Sequence, residues 1–187
     1  MASRNTPTKA YRAGQDALQA RDFRRAKTAF LWASTLDPEN ALYLHAAAGA
    51  ACRIGQYREG EGLYRKAIAL AERTIGAGQP RVALVAYSLV ELYENQGRID
   101  EARQLSERVV RELDREQAIH ANIQSLERLA ALCRKACRPE VGEALYRDAL
   151  SWRRRVLGAG HAKVTDCEAG LERFLQGKEA DTQASVA

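Results

Sequence analysis

The residues that usually announce chemistry are scarce in this chain. It has three histidines among 187 residues, a single methionine and no glycine-rich phosphate cradle. His45, His120 and His161 stand far apart, and no Ser-His-Asp or Cys-His-Asn set accompanies them. A nucleophile needs its base within reach, so no enzyme is expected. The four cysteines (Cys52, Cys133, Cys137, Cys167) do not form paired short spacings. Half-buried or buried thiols in a reducing compartment are expected, with no metal and no cofactor. No apolar run approaches the roughly 20 residues of a membrane span, and residues 1–11 lack the hydrophobic core of a signal peptide. The expected location is cytoplasmic.

Charge of one sign is not concentrated either. The net charge is +5, yet residues 1–40 carry seven bases and four acids, and residues 41–82 six and three. Residues 83–122 invert the balance with five and eight, and the last 65 residues hold eleven and nine. A nucleic-acid footprint needs one dominant basic stripe, so nucleic acid is a disfavoured partner. Only four prolines and 6% aromatics, with abundant Ala and Leu, point to helix throughout.

What the chain does have is a repeated signature. Ala or Gly stands three positions after an apolar residue, an aromatic or polar residue follows four later, and Ala or Val seven later. The copies are Phe23–Ala26–Phe30–Ala33, Tyr57–Gly60–Tyr64–Ala67 and Ile99–Ala102–Ser106–Val109, with a weaker one at Pro139–Gly142–Tyr146–Ala149. Small residues recur where stacked helices must cross closely, so the expected architecture is a pile of helical hairpins.

Helical periodicity and turn residues predict helices over 8–20, 23–36, 41–52, 56–74, 81–95, 99–113, 120–135, 139–156 and 161–175. Arg21–Asp22, Gly55, Gln96–Gly97 and Cys137 mark the hairpin corners. Pro38 ends one helix and Asn40 caps the next. Corner spacings are 34 residues (Arg21 to Gly55), 42 (Gly55 to Gly97) and 40 (Gly97 to Cys137). Short hairpins come first, long ones after.

These residues make the chain resemble tetratricopeptide repeat proteins. Residues 7–40 match the 34-residue pattern at Gly14, Ala26, Phe30, Ala33 and Pro38, with small Ala10, Ala13 and Ala17 where larger residues are usual. Residues 41–74 match it at Leu44, Ala48, Gly55, Tyr57, Tyr64 and Ala67. The string from Leu89 to Ala102 is family-like, including Tyr93, Gly97 and Ala102. The linkers Ile75-Gly76-Ala77-Gly78-Gln79-Pro80 and Leu157-Gly158-Ala159-Gly160-His161-Ala162 are similar to the Leu-Gly-x-x-His-Pro linker of kinesin light chains, each lacking one hallmark. The resemblance implies an all-α fold: antiparallel hairpins stacked as a right-handed superhelix, about four hairpins plus a C-terminal capping helix. One repeat domain is expected over 8–176, in units 7–40, 41–80, 81–119, 120–160 and a cap at 161–176. Residues 1–7 and 177–187 are expected to be loose. Repeat packing falls to Gly14, Ala26, Phe30, Ala33, Gly55, Tyr57, Tyr64, Ala67, Tyr93, Gly97, Ala102, Tyr146 and Ala149.

Such folds line a concave groove with the first helix of each hairpin. On that register the groove residues are Tyr11, Gln15, Gln19, His45, Arg53, Tyr87, Glu91, Asn95, Glu127 and Arg134, with Lys135 beside them. Tyr11, His45 and Tyr87 read equally well as side chains packed between hairpins. The places that hold a carboxylate clamp in some relatives carry Tyr11, Gln15, Ala46, Leu84 and Ser88 here, so that clamp is not expected. Trp32 and Trp152 read as packing residues, and Arg153-Arg154-Arg155 as a solvated face. The expected role is a scaffold that binds a peptide or helix of a partner protein. The alternative is a structural subunit or adaptor that self-associates.

Overall fold

The computed structural model describes the backbone of residues 6–121 and 123–184, and side chains within that span up to Gly177. The ends expected to be loose lie partly outside it, at 1–5 and 185–187. By its contacts the chain divides into two compact units, Met1–Ala77 and Gly78–Ala187. Every regular element among the described residues is helical.

The first unit holds two antiparallel hairpins: α1 (Pro7–Gln19) with α2 (Phe23–Leu36), and α3 (Ala41–Arg53) with α4 (Tyr57–Ile75). Helix α2 also packs on α3, so the hairpins stack in sequence order. Thr6, Asp22 and Asn40 cap the first three helices, each side-chain oxygen accepting a backbone N–H at 3.0–3.3 Å. The core between the hairpins is built on alanine. Ala17, Ala26, Ala47 and Ala50 surround the fully buried Phe30, flanked by Tyr11, Leu18, Leu31, Ala46 and Leu63. One phenylalanine fills the space that several larger residues fill elsewhere.

The second unit holds α5 (Pro80–Asn95) with α6 (Ile99–Glu112), a single turn α7 (Arg115–Ala118), α8 (Ile123–Lys135) with α9 (Pro139–Leu157), and α10 (Ala162–Ala184). Its core is leucine-rich, with Leu89, Leu126, Leu129, Leu132 and Leu145 all at most 2% exposed. Helix α10 packs on both α8 and α9, as a first helix of a next hairpin would. It runs to Ala184, where a loose tail was expected from 177. Lys-Glu-Ala-Asp-Thr-Gln-Ala is polar, but most of its residues favour helix.

All four hairpins turn in one way. Arg21, Gly55, Gly97 and Cys137 have left-handed φ of 58°, 78°, 72° and 54°. In each, the next residue's N–H reaches back to a carbonyl five positions earlier: Asp22 to Ala17, Gln56 to Ala51, Arg98 to Tyr93 and Arg138 to Cys133, at 2.8–3.0 Å. A second bond closes three residues, such as Gly97 N–H to Glu94 O at 2.9 Å. This is the Schellman helix end, which satisfies carbonyls that the helix leaves unpaired. Two of the four corners use a non-glycine residue, at a backbone cost of roughly 1–2 kcal/mol.

The two glycine linkers share a different geometry. Gly76 ends α4 with φ 93°, ψ 141°, and Gly158 ends α9 with φ 85°, ψ 152°. Three residues later the chains diverge. The His161 ring nitrogen Nδ1 accepts the Lys163 N–H at 3.1 Å, so this histidine caps α10. Gln79 makes no such bond, but Pro80 occupies the first position of α5. The two linkers thus start the helices that follow them by different devices, a first-turn proline in one and a histidine cap in the other.

The small residues of the signature sit where the helices of a hairpin touch. Ala26 and Ala102 are buried, and a Cβ on Gly60 would lie 2.4 Å from Cys52 Sγ and 3.2 Å from Ala48 O. On Gly142 it would lie 2.8 Å from Phe174 Cζ and 3.2 Å from Ala130 O. Against this, the corners are open to solvent, with nothing near the missing Cβ of Gly55 or Gly97. Substitution there therefore reports backbone strain alone. Arg21→Gly is expected to stabilise the protein by about 0.5–1 kcal/mol and Gly97→Ala to destabilise it by about 1 kcal/mol, measured by urea unfolding.

Candidate interaction site

The ten groove positions fall into three groups. Tyr11 belongs to the first unit's core: its ring centroid lies 5.3 Å from Phe30 and 5.4 Å from Tyr43. Burial, and then the neighbouring Tyr43, raise its pKa. His45 is half-buried with its ring 5.5 Å from Tyr64 on the paired helix α4. Arg53 is exposed, but its guanidinium lies over the Phe23 ring at 4.7 Å, bracing the start of α2. These three side chains are engaged by packing. Gln15 and Gln19 on α1 are exposed.

In the second unit the first helices α5, α8 and α10 carry a connected polar face. Tyr87 on α5 is half-buried, with Lys135 Nζ 5.9 Å and Arg128 Cζ 6.0 Å from its ring centre. Burial raises the Tyr87 pKa first, and the Glu91 carboxylate adds to it by its charge and by hydrogen bonding the hydroxyl. Lys135 also pairs with Glu94, tying α8 to α5. Glu91 and Asn95 are exposed one and two turns beyond Tyr87, on the same face of α5. Arg128, which the groove register passed over, completes this patch.

Glu127 and Arg134 are held by α10. Arg173 donates to Glu127 at 2.6 Å, and the Arg134 guanidinium lies 5.9 Å from the Phe174 ring. The hydrogen bond to Glu127 raises the Arg173 pKa. Both residues were expected along an open groove. Instead the capping helix continues across α8, because a first helix in that position packs on its predecessor. The side chains that remain accessible therefore centre on Tyr87.

Most of the packing residues are buried as side chains: Ala26, Phe30, Ala33, Ala67 and Ala149 at 0%, Ala102 and Tyr146 at 2%, Tyr93 at 3% and Tyr64 at 7%. Gly14 is buried too, and a Cβ there would meet the Phe30 ring at 2.4 Å. Gly55 and Gly97 are exposed corners. Tyr57 departs from expectation: it is 49% exposed at the first position of α4. Trp32 departs in the same way, at 49%.

The arginine run is also divided differently from the solvated face expected. Arg153 is 5% exposed and points inward. It donates to Ala121 O at 2.5 Å and to Cys167 Sγ at 3.3 Å, joining α9 to the segment before α8 and to α10. Arg154 pairs with Glu168 at 2.5 Å, and Arg155 is exposed. Trp152 is half-buried, edge-on to His120 at 4.6 Å. Arg153 is the member of the run that turns inward, and its guanidinium satisfies the Ala121 carbonyl, which lies outside the helix ladders.

No group of three or more His, Cys, Asp or Glu among the described residues could hold a metal. No helix among them is long and apolar enough to cross a membrane. Three of the thiols are poor nucleophiles: burial pushes Cys133 up to about 12 and raises Cys52, and it raises Cys167 against the opposing charge of Arg153.

Two outcomes are expected. In the folded protein at pH 8, Cys137, the exposed thiol, should react first with a disulfide reagent, and Cys133 and Cys167 only on unfolding. Prompt modification of Cys133 would contradict its burial. Arg153→Ala should cost about 1–3 kcal/mol by denaturant unfolding, since it strips the part-buried Ala121 carbonyl of its donor and leaves a cavity. Arg155→Ala should change stability by less than about 0.5 kcal/mol.

Comparison with known proteins agrees with this geometry. Residues 39–111 match the tetratricopeptide repeat family. No curated protein sequence matches the chain. Among solved structures, nearly identical TPR-like repeats assigned to a kinesin light chain of Podosopora anserina superpose with a TM-score of 0.65 at 16% identity, over 98% of this chain and 92% of that one. BtubC (BKLC) from P. vanneervenii gives 0.56 at 19% identity over 86% and 68%. The pilF protein of Pseudomonas aeruginosa gives 0.51 at 18% over 90% and 72%. At these identities the likeness is one of fold, and the chain has the stacked-hairpin, TPR-like repeat fold.

Proposed function

We propose that the chain is a cytoplasmic protein-interaction scaffold. It holds a peptide or helix of a partner protein against the first helices of its second unit and needs no cofactor. Repeat proteins of this fold generally mediate contacts between proteins, and this chain offers aromatic and charged side chains for that work. The observation that carries the reading is Tyr87. It is a half-buried aromatic braced by Arg128 and Lys135, with Glu91 and Asn95 exposed along the same helix face. A rigid aromatic with a polar tip and charges of both signs around it suits an anchor in a protein contact.

Selection from a peptide library, followed by titration, tests this. Tyr87→Ala combined with Glu91→Ala should weaken the selected peptide by at least about tenfold, while far-UV circular dichroism stays unchanged. Binding that survives both substitutions would place the contact elsewhere. Light scattering separates the alternative role as a self-associating subunit: a peptide-binding scaffold stays monomeric across concentration when no ligand is added.

A further inference from the structure

The first turn of α2 runs against the electrostatics of its own helix. Arg24 and Arg25 occupy the second and third positions, where unpaired N–H groups and the dipole favour acids. Arg21 precedes them in a left-handed conformation that arginine rarely adopts. All three are exposed, and among the described residues none of these guanidiniums has a carboxylate within ion-pair distance. Lys27, two residues on, is by contrast fully engaged, with Glu59 at 2.8 Å and Gln56 at 2.7 Å. Asp22, the sole acid from 17 to 36, spends its carboxylate on the Arg25 backbone N–H at 3.0 Å. Three unpaired cations thus crowd one helix end that would be more stable without them.

The same face carries an exposed tryptophan. Arg25, Thr28, Trp32 and Thr35 recur at helical spacing and all are exposed, Trp32 at 49%. Both threonine hydroxyls turn back onto their own helix, Thr28 to Arg24 O at 3.1 Å and Thr35 to Trp32 O at 2.8 Å. The face is therefore cationic at one end and apolar about two turns away, roughly 10 Å along the axis. Arg and Trp are the residues that most often dominate protein contacts.

We propose that this face of α2 docks an acidic segment of a partner protein, with carboxylates on Arg21, Arg24 and Arg25 and an apolar side chain against Trp32. The charge complementarity is local: no unpaired base follows Arg25 on α2, so the patch fits a cluster of acids and offers no track for successive phosphates. The surface is separate from the Tyr87 patch and does not depend on it.

The test uses the full chain with Trp152→Phe, so that Trp32 alone reports by fluorescence. The probe is a synthetic peptide of about 12 residues with clustered glutamates and a leucine about two turns on. Binding is expected at about 50 mM salt and should weaken markedly at about 300 mM. Arg24→Glu with Arg25→Glu should weaken it by at least about tenfold without lowering the thermal midpoint, because acids suit that helix turn. Trp32→Ala, read by anisotropy of a labelled peptide, should weaken it as well, and Tyr87→Ala should leave it unchanged. Failure of the unsubstituted α2 face to bind at low salt overturns the proposal. So does equal binding by the charge-reversed variant, loss of binding with Tyr87→Ala, or tighter binding of a single-stranded oligonucleotide of equal charge.

Discussion

Everything in this chain hangs on the closeness with which the two helices of each hairpin cross. The fourth residue of the second helix is Ala26, Gly60, Ala102 or Gly142, and each is buried. At Gly60 and Gly142 the nearest backbone atom is the carbonyl oxygen of the residue 12 positions earlier, Ala48 and Ala130, at 3.2 Å from where a Cβ would stand. One register thus recurs in hairpins of the two units. Close crossing fixes how short the corner must be, and a three-residue corner between antiparallel helices requires one residue in the left-handed region. The Schellman bonds at Arg21, Gly55, Gly97 and Cys137 follow from that requirement.

This constraint is local, which is why so much of the fold was legible. A small residue at a fixed distance from an apolar one and a corner residue at 34 to 42 residue intervals are read directly from the chain, and the main helix limits follow within a few residues. The turn α7 is hidden because nothing periodic marks residues 114–118, where the buried Ala118 is the one apolar residue. Asp114 alone signals it, by capping Gln117 N–H at 3.2 Å. The end of α10 is hidden because residues 178–184 are polar and carry no apolar period, although most of them favour helix. The division into two units follows from which helices touch, and no motif encodes that.

The candidate surfaces were less legible because they are made by contacts far apart in sequence. Helical spacing puts Tyr87, Glu91 and Asn95 on one face of α5. It says nothing of Lys135, which reaches Glu94 across 41 residues, or of Arg173, which reaches Glu127 across 46. Such exposed or half-exposed pairs add little to stability, because water and salt screen them. Their larger effect is to commit side chains: a glutamate holding an arginine of the next helix is not free to recognise a partner. What remains available is set by subtraction, and subtraction needs the structure.

The same distinction orders the places where the chain breaks local rules. Arg153 is a buried cation without a carboxylate, an arrangement usually costly, yet its donors meet Ala121 O and Cys167 Sγ and no buried side-chain polar atom among the described residues is left unpartnered. The fold accounts for it. Cys133 and Cys167 are thiols in name only, since burial holds them protonated and they pack as small apolar groups. Cys137 in a left-handed corner has no counterpart that explains it. The arginines of α2 differ from all of these. They are exposed, unpaired and set against their helix, so the folded chain gains nothing from them that acids in that turn would not improve upon. A residue type that the fold disfavours and the fold does not compensate belongs to some other interaction, and the indole two turns along the same face gives that interaction a second point of contact.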